Sequence, residues 1–479
     1  MQNDIKRRDF LKVAAAGSGL CLAGSGMAAL GANPAAPKII SPGCRKSKVK
    51  VARLFIGTPT GLWPKPNLNL EEEVRFYKAQ FEKMKKEVAD VDFAVDELVT
   101  SPEQAATLKE RLAQVDGVLV IHLNIGISAI LHQIVSAGKP TIVFAVPYSG
   151  HEWCSFGSLM KQEAGAKLEA MLTTDYRQLA VAIRPFRAIH HMREAKILNV
   201  TTHMPVEYCD AIKEKFGTET KQVELERVIA AYDAVDDAAA KAEADRWIQG
   251  AKEVVEPSVQ DVFKACKMAL AFEKLLDEEE ATVMTAACYG SMHKPLCQAY
   301  AYPCVGFVRL NNMGLGGICE SDLQCAVTHV LLQGLSGKPG FVSDPTMDEA
   351  TNSIILAHCL GTPKMDGPDG PAAPYKLRTV MERQEGVVPQ VFMRAGERVT
   401  QAKLVGTDHL IYFTGTITDA PDIDRGCRTK VTVKIDGDAE KLWKNWTAGL
   451  HRQTCYGDVT KELELFCRFT ETELINEAV

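Results

Sequence analysis

The chain has 479 residues, of which 46% are hydrophobic, 24% charged and 7% aromatic. That composition excludes a disordered, collagen-like or polytopic membrane protein, and the length implies several domains of roughly 100–200 residues each. A formal charge of −6 argues against nucleic acid or an anionic membrane surface as partner, because both select for Lys/Arg patches.

The first 36 residues read separately from the rest. Arg7-Arg8 is followed by Phe10-Leu11-Lys12, then by a weakly apolar Ala/Gly/Leu stretch that ends in small residues near Gly31. This resembles a twin-arginine export signal and implies a periplasmic or otherwise exported protein. The apolar run is short and glycine-rich, so no stable membrane anchor is expected. Cys21 follows Leu20 rather than a small residue, which argues against a lipoprotein site.

There are 14 cysteines, too few for a disulfide scaffold, and none forms a CxxC pair. Cys288, Cys297, Cys304, Cys319, Cys325 and Cys359 cluster mid-chain. The twin-arginine route carries proteins already folded in a reducing compartment, so mostly free, buried thiols are expected.

From residue 48 the pattern alternates. VKVARLFIG (49–57) predicts a strand, and Val74, Tyr77, Phe81 and Met84 share one side of a helix between Leu70 and Val88. VDFAVDELV (91–99), a helix opened by Ser101-Pro102-Glu103, GVLVIHL (117–123), a helix at 127–137 and PTIVFAVPY (140–148) continue it. This predicts a Rossmann-like parallel-sheet domain over 48–190. A second such unit, 191–363, is read from AKILNVT (195–201), helices near 206–216, 234–250 and 257–280, and strands at ATVMTAACYG (281–290), CVGFVRL (304–310) and NSIILAHC (352–359). The acidic run Asp277–Glu280 reads as a solvated helix end. After the Pro/Gly-rich MDGPDGPAAP (365–374), short strand-like runs predict a β-rich, antiparallel barrel-like domain over 364–479, closed by a helix near 460–469. The fold class is therefore α/β, with two parallel-sheet domains followed by a β-rich one.

Nucleotide signatures are weak. There is no G-x-x-x-x-G-K-[ST], and Gly314, Gly316 and Gly317 lack the third glycine of a dinucleotide fingerprint. A G-x-S-x-G elbow is also absent. The informative stretch is 314–359. Glu320 precedes a helix, Asp344 follows the strand-like GFVSD, and His358 ends an apolar strand. Carboxylates at strand ends and helix starts face the crevice where α/β folds bind ligands, and carboxylate plus imidazole suits a divalent cation. The bland alternative makes Glu320 a helix-terminal charge, Asp344 a turn residue and His358 a core histidine. Trp63 and Trp153, in loops after strands, are candidates for stacking on sugar faces or for packing. His151 and Glu152 share that placement.

The CES(D) helix start, the Asp-Pro step at 344–345, the Ala-His-Cys strand end and GLHRQTCYGD (449–458) together resemble the L-fucose/L-arabinose isomerase family. The resemblance is strongest over 281–359 and 425–470. It implies a metal-dependent aldose–ketose isomerase working through a cis-enediol, with a small-molecule sugar substrate and a homo-oligomeric assembly. It further implies Mn²⁺, or another divalent cation such as Mg²⁺, held by Glu320, Asp344 and His451, with His358 as a further candidate ligand. Glu320 would act as base and Asp344 as partner acid/base. Cys319 and Cys359 adjoin these residues but are expected in the core. Two other readings compete: a non-catalytic periplasmic sugar-binding protein, and an exported NAD(P)-dependent sugar oxidoreductase.

Overall fold

The computed structural model describes residues 39–479, so the stretch read as an export signal, residues 1–36, lies outside the described residues. Five strands open the chain: β1 (Val49–Ile56), β2 (Val91–Val99), β3 (Gly117–His122), β4 (Thr141–Ala145) and β5 (Leu168–Leu172). All pair in parallel in the order β2-β1-β3-β4-β5. Parallel strands are covered by helices on both faces, which is why Leu54–Ile56 and Val118–Ile121 are wholly buried apolar runs. Helix Leu70–Lys83 begins where Asn69 accepts from the Glu72 N–H at 3.2 Å, with Glu71, Glu72 and Glu73 in its electropositive first turn.

The second unit contains β6 (Lys196–Val200) and β7 (Glu219–Val223), then a two-residue strand, β8 (Glu253–Val254), that pairs elsewhere. With β9 (Val283–Ala286) and β10 (Gly316–Ile318), β6 and β7 make a parallel sheet ordered β10-β9-β6-β7. Helix Arg184–Glu194 links the two units. Phe186 belongs to the first core and Ala188 and Met192 to the second, so the boundary expected at 190 runs through one continuous helix.

CVGFVRL, expected as a strand, is instead the start of helix Cys304–Asn312. Apart from Arg309 this short run is apolar and buried, and one polar residue does not mark a period, so strand and helix look alike in sequence. The acidic run also differs from expectation: Glu279 pairs with Lys196, Lys221 and Arg227, and Asp277 with Arg45.

The third unit contains β11 (Phe341–Asp348), β12 (Ser353–His358), β13 (Tyr375–Val380), β14 (Glu385–Val391), β15 (Arg398–Val405), β16 (His409–Asp419), β17 (Thr429–Ile435), β18 (Arg452–Tyr456) and β19 (Glu473–Asn476). Six of these, in the order β15-β18-β11-β12-β17-β16, close through the β15–β16 pairing into an antiparallel barrel, and β19 adds alongside β16. Closure removes the sheet edges that would otherwise template association. β13 and β14 form a hairpin that β8 joins. NSIILAHC therefore pairs with β17 of the barrel, not with the second parallel sheet, and the barrel begins before the expected start at 364. β11 also runs straight through Asp344-Pro345 where a turn was expected.

Gly316 and Gly317 are packing glycines, with no phosphate cradle around them. A Cβ on Gly317 would stand 2.3 Å from Phe307 Cα and 2.4 Å from its carbonyl oxygen. Backbone atoms cannot rotate away from such an intruder. The Gly317→Ala variant is expected to lose about 1–3 kcal/mol of stability, the usual range for overpacking. Urea unfolding should show a lower midpoint at unchanged slope, whereas an unchanged midpoint would show that the close approach is not needed.

Candidate functional site

The end of the second parallel sheet meets the rim of the barrel at one point. β10 ends at Ile318, and the chain turns through Cys319, Glu320, Ser321 and Asp322 into helix Leu323–Ser336. Glu320 and Ser321 both lie in the left-handed region, with φ of 62° and 60°. Two consecutive non-glycine residues there store strain that the surroundings must hold. Ser321 donates to Asn199 Oδ1 of β6 at 2.8 Å, and Asp322 caps the helix by accepting from the Cys325 N–H at 2.9 Å. The turn thereby pushes the Glu320 carboxylate out of the sheet end.

The barrel supplies the rest. β11 and β18 are antiparallel with Ser343 opposite Arg452, so one more rung sets Asp344 opposite His451. His451 Nε2 lies 3.2 Å from Asp344 Oδ1 and 3.8 Å from Glu320 Oε2, while its Nδ1 faces Asp322 Oδ2 at 3.2 Å. His358, at the end of β12, puts Nε2 3.7 Å from Glu320 Oε1, and the two imidazole rings meet edge to face at 5.4 Å. The Glu320 carboxylate thus spans two imidazoles. Glu320, His358 and His451 each offer a ligand atom within 4.8 Å of one another, and Asp344 joins through His451.

Arg452 fixes the loop that carries His451. Its guanidinium, 1% exposed, donates to the carbonyls of Ala448, Gly449 and His451 and pairs with Glu477. It also lies 4.3 Å from the centre of the Trp446 ring.

The charges are unequal. Burial pushes Glu320 above the usual carboxylate range, helped by Asp344, Asp322 and Glu382 and opposed by His451. Asp344 is raised for the same reasons, burial first and Glu382 second. Burial opposes charge on Asp322 too, but the His451 hydrogen bond and the Lys403 ammonium hold it far below the usual range. Burial likewise disfavours His451 as a cation, yet Asp322, Asp344 and Glu320 together raise it. Buried His358 is lowered to about 3, so it is a neutral imidazole with a lone pair to offer.

These residues fit a hard or borderline divalent cation. The donors are carboxylate oxygen and imidazole nitrogen, with sulfur absent. Asp344 Oδ1 is buried and makes no hydrogen bond, an unsatisfied acceptor aimed at His451 and the space beside Glu320.

Sequence reasoning missed three neighbours. Asp322 was within the quoted CES(D), and its N-cap position was readable. Lys403, 3.4 Å from Asp322, comes from β15. Glu382, in the β13–β14 turn, accepts from Tyr289 at 2.9 Å and from Cys427 at 3.4 Å. Cys319 and Cys359 are buried as expected, and the described cysteines are all free. Cys359 has polar company, since Tyr289 Oη lies 3.9 Å from its sulfur.

Trp63 and His151 sit together on the first unit, edge to face at 5.7 Å, and Trp153 opens helix Trp153–Met160 on the same side of that sheet. Both tryptophans are exposed. Glu152 is structural: it bonds His122 Nε2 at 2.9 Å and accepts from the Gly126 and Ile127 amides. Among the described residues no helix is long and apolar enough to cross a membrane.

No protein-family model matches the chain. It is similar to a sulfoquinovose isomerase of Clostridium sp. strain MSTE9, at 30% identity over 184 residues. The match covers 34% of this chain and 38% of that relative's length.

Asp322 carries a sharp prediction. Because its folded pKa is depressed, its contribution is fully present above the ordinary carboxylate range near ~4 and is lost as pH falls through the folded value. The Asp322→Asn variant keeps a helix cap but removes the charge. It is expected to lose roughly 1–3 kcal/mol at neutral pH, with a smaller loss in acid. The His451 imidazole should titrate at lower pH by NMR, and an unmoved midpoint would mean that Asp322 does not hold its proton.

Proposed function

We propose that the protein is an exported, divalent-metal-dependent aldose–ketose isomerase acting on a sugar. The observation that carries this reading is the meeting of Glu320, Asp344 and His451, from two different sheets, around an unsatisfied carboxylate oxygen. The likeness to a sulfoquinovose isomerase, confined to part of both chains, supports the same class of reaction.

Glu320, Asp344 and His451, with His358 beside them, would hold the cation. When bound, Mn²⁺ or Mg²⁺ withdraws charge from the sugar oxygens and so lowers the barrier to breaking the adjacent C–H bond. Glu320 takes the C2 proton. Its raised pKa brings a carboxylate closer to neutral pH, where a base both exists unprotonated and binds its proton usefully. The C2–H electron pair becomes the C1=C2 bond of a cis-enediol. The proton returns to C1, and the O2 proton moves to O1 with Asp344 as the partner acid/base. Nothing is oxidised or reduced overall. His358, kept neutral by burial, stays an electron-pair donor throughout. His451, braced by Asp322 on the other ring nitrogen, closes the centre from the barrel.

The dinucleotide reading loses its one motif, because Gly316 and Gly317 are occupied by packing against Val283 and Phe307.

The test is purified protein with Mn²⁺ in D₂O, offered a panel of aldoses that includes sulfoquinovose and followed by proton NMR. A ketose should appear from at least one sugar. Glu320→Gln is expected to slow it about 10²- to 10⁴-fold while the protein stays folded. No ketose from any sugar, or an unaffected variant, contradicts the reading.

A further inference from the structure

A second cluster of metal-ligating atoms lies far from the sugar centre in sequence, where the segment before β1 crosses helix Arg184–Glu194. Cys44 and His190 are 1% exposed, and the Glu194 side chain is 17% exposed. One ligand atom from each lies within 4.8 Å of the others. Cys44 Sγ is 3.4 Å from Glu194 Oε2, and His190 Nε2 is 3.5 Å from the same oxygen. The backbone carbonyl of Ser47 supplies a fourth corner, 3.1 Å from His190 Nε2 and 3.3 Å from Cys44 Sγ.

Those four edges have a simple meaning. A tetrahedral Zn²⁺ with bonds of about 2.3 Å to sulfur and about 2.0–2.1 Å to nitrogen and oxygen needs ligand–ligand edges of about 3.3–3.5 Å. The four atoms already stand at 3.1–3.5 Å along the edges given above.

The surroundings have the form expected behind a metal-bound histidine. Asp116 Oδ2 lies 2.9 Å from His190 Nδ1, the ring nitrogen turned away from the cluster. Asp116 is itself held by the Lys50 N–H at 2.8 Å and by Arg193 at 2.7 Å. A carboxylate on the far nitrogen is the usual partner behind a metal-bound histidine, and here Arg193 Nη2 shares that nitrogen at 2.8 Å. His190 and Glu194 are one helical turn apart, so both reach the same point from one face.

We propose that Cys44, His190, Glu194 and the Ser47 carbonyl form a structural site for zinc or a similar borderline divalent ion. With four donors from the chain, no position remains open for a substrate, and the ion acts as a staple. It ties the segment around Ser41–Ser47 to the helix shared by both parallel-sheet units. Ser41 already touches His191 at 2.9 Å, and the Gly43 N–H donates to the Gly314 carbonyl at 2.7 Å.

Cobalt substitution tests this independently of the sugar reaction. The donors proposed for the sugar centre include no sulfur, so a thiolate-to-cobalt charge-transfer band in the near ultraviolet reports on a cysteine ligand alone. Full-length protein titrated with up to two equivalents of Co²⁺, because the sugar centre also takes a divalent ion, should gain that band with the intense visible bands of tetrahedral geometry. Zn²⁺ should abolish it. Cys44→Ser should lose it, and Glu320→Gln should keep it. A wild-type protein without the band, or a band that survives in Cys44→Ser, overturns the proposal. If Cys44→Ser does not fold, anomalous scattering from zinc-soaked wild-type crystals decides: a peak among the four atoms upholds the site, and its absence there refutes it.

Discussion

His451 stands among carboxylates that belong to two different sheets, and much of the molecule keeps it there. Its Nδ1 faces Asp322 at the end of the second parallel sheet, while its Nε2 faces Asp344 of the barrel. The ring therefore bridges the two halves of the site. Each side carries an expense. The turn holds Glu320 and Ser321 in left-handed backbone, and the barrel buries Arg452 to pin the loop before β18. A buried guanidinium is tolerated because Glu477 and three carbonyls occupy its donors. The core of the second unit runs without a break into the barrel through helix Leu323–Ser336. Thr328 accepts from the Leu404 N–H and His329 meets Gln453, so the two halves of the site are fixed to one body.

The same geometry separates the carboxylates into two kinds. Asp322 is held charged by a histidine and a lysine, which makes it a permanent anchor for the imidazole. Glu320 and Asp344 are buried among like charges and held above their usual range. Groups pushed in opposite directions within a few ångströms are a common feature of sites that exchange protons. An excess of carboxylate over cationic side chains is also what a divalent ion would complete.

Much of this was legible in the sequence. The apolar runs Leu54–Ile56 of β1 and Val118–Ile121 of β3, and helix Val206–Phe216, follow from local pattern alone, because their period or their lack of polar residues is visible within one element. Glu320, Asp344 and His358 stood out by their placement at element ends and His451 only through the family resemblance; the fold brings the four side chains together. What failed depended on distant partners. Residues 304–312 are helical, with Gly306 packed on Phe272 and Ala269, a contact no window of sequence reveals. β11 and β12 joined the wrong unit because strand-like runs do not name the strand they pair with. Glu382 meets Tyr289, which follows β9, only through the folding of the β13–β14 hairpin. Trp63 and His151 were correctly placed in loops after strands, but they form a group of their own on the first unit.

If the barrel and the second parallel sheet jointly hold one cation, anomalous diffraction at the manganese edge from Mn²⁺-soaked crystals will locate it between them. A single strong peak is expected within about 2.0–2.3 Å of Glu320 and Asp344 oxygens and of His451 Nε2. Manganese bound elsewhere, or a peak that touches the barrel residues but leaves Glu320 free, would contradict it.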